Sequence, residues 1–341
     1  MSWRPGNINR LNPLIPCRSG TGCARQTDLN QRVIQQAGIA LITVLLVLAL
    51  ASITAVGLLE RQQLDVRRTT VLAHQQQARL YVHGAEQWAA QRLAQDRRDS
   101  DTDHLDEDWA TELPPLPVSG GWVQGQLTDL QGRFNVNNLI QGGEVDEAQL
   151  GLLQRLFDRL NLDSDGINAL LDWLDADQEP RFPGGAEDSY YRNLDPPYLA
   201  ANRPLFSLTE LRLVRGFDPD TWTLLQPLLS ALPEPTPLNV NTVPEELLAA
   251  LDPRLDDTLV ERLLTAREEQ PFTDGADFIT ATGLEDFAMP AEQLSGRSDY
   301  FLLQARAQVG EGQARLFSVL QRSESGFTRS LLRSYGVERA H

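Results

Sequence analysis

Nine carboxylates crowd into residues 163–195: Asp163, Asp165, Asp172, Asp175, Asp177, Glu179, Glu187, Asp188 and Asp195, opposed only by Arg181 and Arg192. Folding so many like charges together is costly unless they face water or share a cation. "DADQEPRFPGGAED" supplies the loop formers Pro180, Pro183, Gly184 and Gly185, which let the two acidic groups fold back towards each other. Hard oxygen donors without cysteine or clustered histidine suit calcium better than zinc or copper. The segment is not an EF-hand. Counted from Asp163 the glycine is fourth and Leu174 twelfth; counted from Asp175 the sixth residue is Pro180. A solvated acidic loop is the other reading of the same residues.

Other chemistry is sparse. His74 and His83 lie in a helical stretch, His104 in an acidic linker and His341 at the end of the chain, so they share no motif. GxSxG, P-loop, HExxH and CxxC patterns are absent, and paired acids alone do not establish a glycosidase. Cys17 and Cys23 both fall in the first 38 residues, so the rest of the chain has no thiol for a disulfide, a metal or a nucleophile. The net charge of -17 is uneven: five arginines against Asp28 make residues 1–38 +4, leaving -21 beyond. Such a body repels phosphate backbones, which argues against nucleic acid. "PLNVNTVPEELLAALDPRLDDTLVERLL" has the outline of a helix-hairpin-helix unit, but its hairpin "DPRLDD" carries three aspartates and no glycine. Backbone approach to phosphate needs the opposite.

The elements that must position these groups begin with "IALITVLLVLALASITAVGLL", Ile39 to Leu59, twenty-one uncharged residues. As a helix it spans about 30 Å, the thickness of a bilayer's hydrocarbon. A basic arm before it and an acidic body after it predict the N-terminus inside and the body outside. A cleaved secretory signal ending at Ala49-Leu50-Ala51, before Ser52, is the rival reading. The helical pattern continues through Leu64, Val71, Ala78 and Ala85, with Tyr81 and Trp88 on the same stripe, so one helix of about 85 Å is expected from Ile39 to Gln95. Pro5, Pro13 and Pro16 give the 38-residue arm no helical character, and its length suggests a translation start placed too far upstream.

Beyond an acidic, proline-rich connection at 96–119, "GWVQGQLTDLQGRFNVNNL" reads as strand, Gln131-Gly132 turn and short strand. "DYFLLQARAQVG", "QARLFSVLQRS" and "FTRSLLRSYG" read as an antiparallel meander. Residues between are helical in period, with a repeat of helix, turn, helix in "TELRLVRGFDPDTWTLLQPLL", "EELLAALDPRLDDTLVERLL" and "ADFITATGLEDFAMPAEQL". The economical arrangement is α+β. A long N-terminal helix lies on a small antiparallel sheet (120–143 and 298–341), with a large all-α domain (144–297) inserted between its strands. Residues 1–38 form the leader, 39–59 the membrane half and 60–95 the amphipathic half of the helix.

Gly38 followed by the apolar run resembles the type IV pilin and pseudopilin family. "GRFNVNNL", "LLDWLDAD", "GGAEDSYY", "PPYLAANRPLFSLTEL" and "PLNVNT" resemble the large minor pseudopilin of type II secretion within it. The resemblance implies a pilin-like fold, cleavage by a prepilin peptidase after Gly38 and an N-methylated Ile39. It also implies a site at the pseudopilus tip beside two smaller minor pseudopilins, the I and J subunits. Further implied contacts are the major pseudopilin and the inner-membrane secretion platform, and the implied location is a single pass of the inner membrane with a periplasmic head. The family usually carries glutamate where this chain has Thr43, and a subunit with no neighbour above it is better off without that buried acid. The resemblance also implies two structural calcium ions, for which Asp172, Asp175, Asp177, Glu187 and Asp188 are the candidate ligands. No enzymatic role is expected. The competing function is a periplasmic calcium-binding or hydrolytic protein released by an ordinary signal peptidase.

Overall fold

The computed structural model describes residues 25–112 and 114–336, with side-chain surroundings from Ile39 onward. The upstream arm with Cys17 and Cys23, and the last five residues of the expected sheet segment, lie outside the described residues. Helix α1 runs Arg25–Asp99. It starts before Gly38, contrary to the expectation of a non-helical arm, because "RQTDLNQRVIQQA" is free of proline and glycine and rich in good helix formers. No break occurs near Leu59.

Strands β1 (Leu116–Val118), β2 (Gly121–Asp129) and β3 (Phe134–Asn135) follow, then β4 (Ile140–Gln141) and β5 (Glu144–Val145). Next come α2 (Glu147–Arg159), α3 (Asp165–Leu174), α4 (Asp188–Tyr191), α5 (Pro219–Leu225), β6 (Leu229–Ser230) and β7 (Leu238–Asn239). Helices α6 (Glu245–Leu248), α7 (Asp257–Glu269) and α8 (Gly275–Thr282) lead to β8 (Leu294–Ser295), β9 (Tyr300–Val309), β10 (Gly312–Arg322) and β11 (Thr328–Tyr335).

Two compact units divide the chain, residues 1–69 and 70–341. In the first, the stretch from Ile39 to Leu59 is exposed apart from the half-buried Gly57; the most apolar 18 residues have a mean hydropathy of 2.8 and none is buried. In the second, one antiparallel sheet has the order β1-β2-β9-β10-β11. The helix covers one face of that sheet through Ala78, Val82, Ala89 and Leu93, which pack with Leu127, Phe301, Leu303, Ala305, Leu316 and Leu320. On the opposite face Leu130, Tyr300, Leu302, Phe317 and Val319 pack with Leu232 from the segment between β2 and β9.

The meander β9-β10-β11 matches the sequence expectation, as does the order of strand β2, turn at Gln131-Gly132 and short strand β3, although β3 pairs with β6 and does not join the sheet of β2. After β2 the chain leaves the sheet, and at Gly132 it passes so close to Thr242 that any side chain there would collide with it. Helix is the main regular structure of the segment from 130 to 299, but the segment is not all-α. Among the described residues it contains the ladders β3 with β6, β4 with β5, and β7 with β8.

Two of those ladders are parallel and built alike. In each, an Asn-Val-Asn begins at the last residue of the first strand. Asn135 Oδ1 accepts the Asn137 N–H (3.2 Å), and Asn137 grips the backbone of Leu205 through both its N–H (2.8 Å) and its carbonyl (3.0 Å). Asn239 Oδ1 accepts the Asn241 N–H (3.0 Å), and Asn241 grips Phe272 in the same two ways, both at 2.9 Å. Buried amides satisfied on every side lock loop to strand at the cost of no flexible charge.

Candidate metal centre

Helix α3 buries Leu170, Leu171, Trp173 and Leu174, and Asp172 is carried inside with them, 0% exposed. Its carboxylate is fully used. The backbone N–H of Ala186 (2.8 Å), the backbone N–H of Arg181 (3.1 Å) and Arg181 Nη1 (2.9 Å) all donate to it. Burial pushes the Asp172 carboxyl up, and the Arg181 guanidinium and the two amides oppose that. Gly184 turns the chain at φ +81°, and Gly185 lies so close to Asp172 and Arg181 that a Cβ would strike both. That close approach is what the two glycines of the loop provide.

Asp175 follows as the α3 C-cap and is only 7% exposed. One of its oxygens pairs closely with Arg181; the other, Oδ1, is buried with no partner. Glu187 is 2% exposed and neither of its oxygens has a donor. Burial, then repulsion from Asp172, Asp175, Asp177 and Asp188, pushes its carboxyl up to about 7. Asp177 is exposed and accepts the Glu179 N–H (2.8 Å). Oxygens of Asp175, Asp177 and Glu187 all lie within 4.8 Å of one another.

Asp188 stands apart from that trio, its oxygens taken by Arg192 (2.8 Å) and by the Ala200 N–H (3.0 Å). Asn202, which sequence reading missed, donates to the Asp177 carbonyl (3.3 Å) and leaves its own buried Oδ1 unpartnered. Its backbone at φ +47° is the one local hint, since asparagine tolerates that region better than most residues. Three converging carboxylates, two of them buried with orphaned oxygens, fit a hard cation, because an uncompensated buried carboxylate is otherwise strongly unfavourable.

A second acidic group, Asp96, Asp103 and Glu107, is paired by protein donors. Arg322, 1% exposed, donates to Asp96 (2.8 Å) and to both oxygens of Asp103 (2.6 Å). Glu107 accepts Trp109 Nε1 (2.6 Å) and the His104 N–H (3.1 Å). Burial and the neighbouring Glu107 and Asp103 push Asp96 up to about 7 against the pull of Arg322.

The residues expected at the cleavage site lie at the start of the exposed apolar part of the helix. Gly38 is helical within α1, Ile39 is 64% exposed, and Thr43 Oγ1 donates to the Ala40 carbonyl (2.9 Å), so its hydroxyl is satisfied by its own helix. The helix-hairpin-helix outline corresponds to α6 and α7, but Asp252 closes the hairpin by accepting the N–H groups of Arg254 (3.0 Å) and Ala288 (2.8 Å) as well as the Arg254 guanidinium. Those amides are not free for phosphate.

Comparison with known proteins bears on the same segments. A family model described as "Type II secretion system (T2SS), protein K" matches in two parts, residues 132–234 and 238–296. The gap between them separates the two Asn-Val-Asn ladders. Type II secretion system protein K of Pseudomonas aeruginosa is 35% identical over 319 residues, covering 88% of this chain and 93% of the relative. The protein of the same name from Klebsiella pneumoniae is 35% identical over 320 residues, covering 89% and 97%. A chain of the crystal structure of the GspK-GspI-GspJ complex from enterotoxigenic Escherichia coli superposes with a TM-score of 0.70 at 27% identity, covering 80% of this chain and all of that one.

Proposed function

The chain belongs to the type II secretion system protein K family, and on that footing we propose that it is the minor pseudopilin that caps the pseudopilus, with no catalytic role of its own. One observation carries the reading. The exposed apolar stretch Ile39–Leu59 and the residues that pack on the sheet, Ala78 to Leu93, belong to one unbroken helix. A helix so arranged serves first as a single-pass inner-membrane anchor, N-terminus in the cytoplasm. After cleavage behind Gly38 it serves as a filament stave, with apolar burial against neighbours supplying the association energy. The fold is then pilin-like, with residues 130–299 as its inserted domain, wide enough to stop a subunit stacking above. The I and J subunits are the proposed immediate partners, as in the complex of the structural relative, and Thr43 in place of a charged residue suits the top of the filament.

The acidic loop is proposed to hold calcium through Asp175, Asp177, Glu187 and Asn202. The bound cation would neutralise oxygens that the fold leaves buried and unpaired. Asp172, through Arg181 and the amides, shapes the loop around it.

N-terminal sequencing of the membrane-extracted protein, after co-expression with the prepilin peptidase, tests the reading. A methylated Ile39, lost in Gly38→Ala together with the mobility shift, is expected. A free N-terminus at Ser52 would establish a released periplasmic protein instead.

A further inference from the structure

Resting on the metal reading above, we propose that the loop takes one divalent cation, and that Arg181 is a resident second cation built into the chain. Two contrasts carry this. First, the acidic group around Asp96 and Asp103 shows what an arginine alone accomplishes. With Arg322 in its centre, none of the carboxylate oxygens of Asp96, Asp103 and Glu107 is left buried without a partner.

Second, the loop of 172–188 is half-finished by the same device. Arg181 Nη1 bridges Asp172 and one oxygen of Asp175, and the Asp172 carboxylate is completed by the backbone. What remains unpaired is Asp175 Oδ1 and both oxygens of the 2%-exposed Glu187, whose carboxylates converge with that of Asp177, and Oδ1 of Asn202, whose amide donates to the Asp177 carbonyl. One dication satisfies that group. A second would have to displace a guanidinium whose side chain is 30% exposed and whose own backbone N–H also holds Asp172. Arginine suits the post because it is charged at every accessible pH and its planar fork spans two carboxylates. The chain therefore needs only one ion to finish the loop, and keeps part of the loop organised when that ion is absent.

Equilibrium dialysis of the full-length chain in detergent against radiolabelled calcium counts the ions directly. One calcium per chain is expected, lost in Glu187→Gln. Arg181→Lys should keep one. Arg181→Gln should take up a second and should melt lower than the parent in chelator while gaining more from calcium. Two ions on the parent chain would overturn the resident-cation proposal and leave the metal reading standing. No ion on the parent at millimolar calcium would overturn the metal reading and this proposal with it. If Arg181→Gln does not fold, the parent count and the lysine variant still decide.

Discussion

Among single residues, Asp252 gives the sharpest test of how buried charge is handled. Its side chain is fully buried. Burial alone would raise its carboxyl, but the Arg254 guanidinium and the amides of Arg254 and Ala288 outweigh that and hold it at about 2, below its ordinary 3.8. A depressed carboxylate contributes stability that is complete above the unfolded value and is lost as pH falls through the folded one. The shift corresponds to about 2 kcal/mol. Asp252→Asn should therefore be less stable than the parent to denaturant at pH 6 by that amount, and the gap should close between pH 4 and pH 2. A gap independent of pH would refute the ionic account. The carboxylate-rich segment of 163–195 was readable from composition. Which of its oxygens are left without donors was not, because that depends on where Arg181, Ala186 and Ala200 return in space.

At the level of elements, α1 shows why a sequence stripe drifts. The seven-residue pattern through Leu64, Val71, Ala78 and Ala85 predicts Trp88 on the buried face; the face that packs is Ala78, Val82, Glu86, Ala89 and Leu93, and Trp88 is 44% exposed. A straight helix turns every 3.6 residues, so a heptad slips by roughly 20° per repeat and has drifted by about 60° over the three repeats from Leu64 to Ala85. Leu93→Ala should cost about 3 kcal/mol by leaving a cavity, whereas Trp88→Ala should cost well under half of that. Equal losses in thermal or denaturant unfolding would return Trp88 to the core. Glu86, an acid on the packing face, was invisible as a core residue because its partners, Ser318 and both contacts from Arg333 (2.9 and 3.0 Å), lie more than 230 positions away. Burial raises its carboxyl, but Arg333 and Ser318 prevail and hold it below the ordinary range.

For the whole of residues 70–341, the decisive junction is Arg322. It reaches Leu93 and Asp96 on α1, Asp103 in the connection and the Ser298 carbonyl before β9. Ser298 in turn donates to Asp129 (2.6 Å), which also accepts from Asn239 (3.0 Å) and Thr242 (2.5 Å). Helix, sheet and the segment between β2 and β9 are thus tied through one buried polar chain. Arg322→Met leaves Asp96 and Asp103 buried without their counter-charge, which should cost about 3–5 kcal/mol. Calorimetry should show the lower midpoint, and an unchanged one would remove Arg322 from this role. Local pattern settled the apolar rod, the meander of β9 to β11 and the acidic loop, since each follows from hydrophobic period, turn residues or charge density within a few tens of positions. Close approach in space settled the rest. The departure of the chain at Gly132, the two asparagine clamps, Asn202 beside the loop and the arginines inside both acidic groups all join residues distant in the chain, and only a packed interior makes an unpaired polar atom costly enough to select such partners.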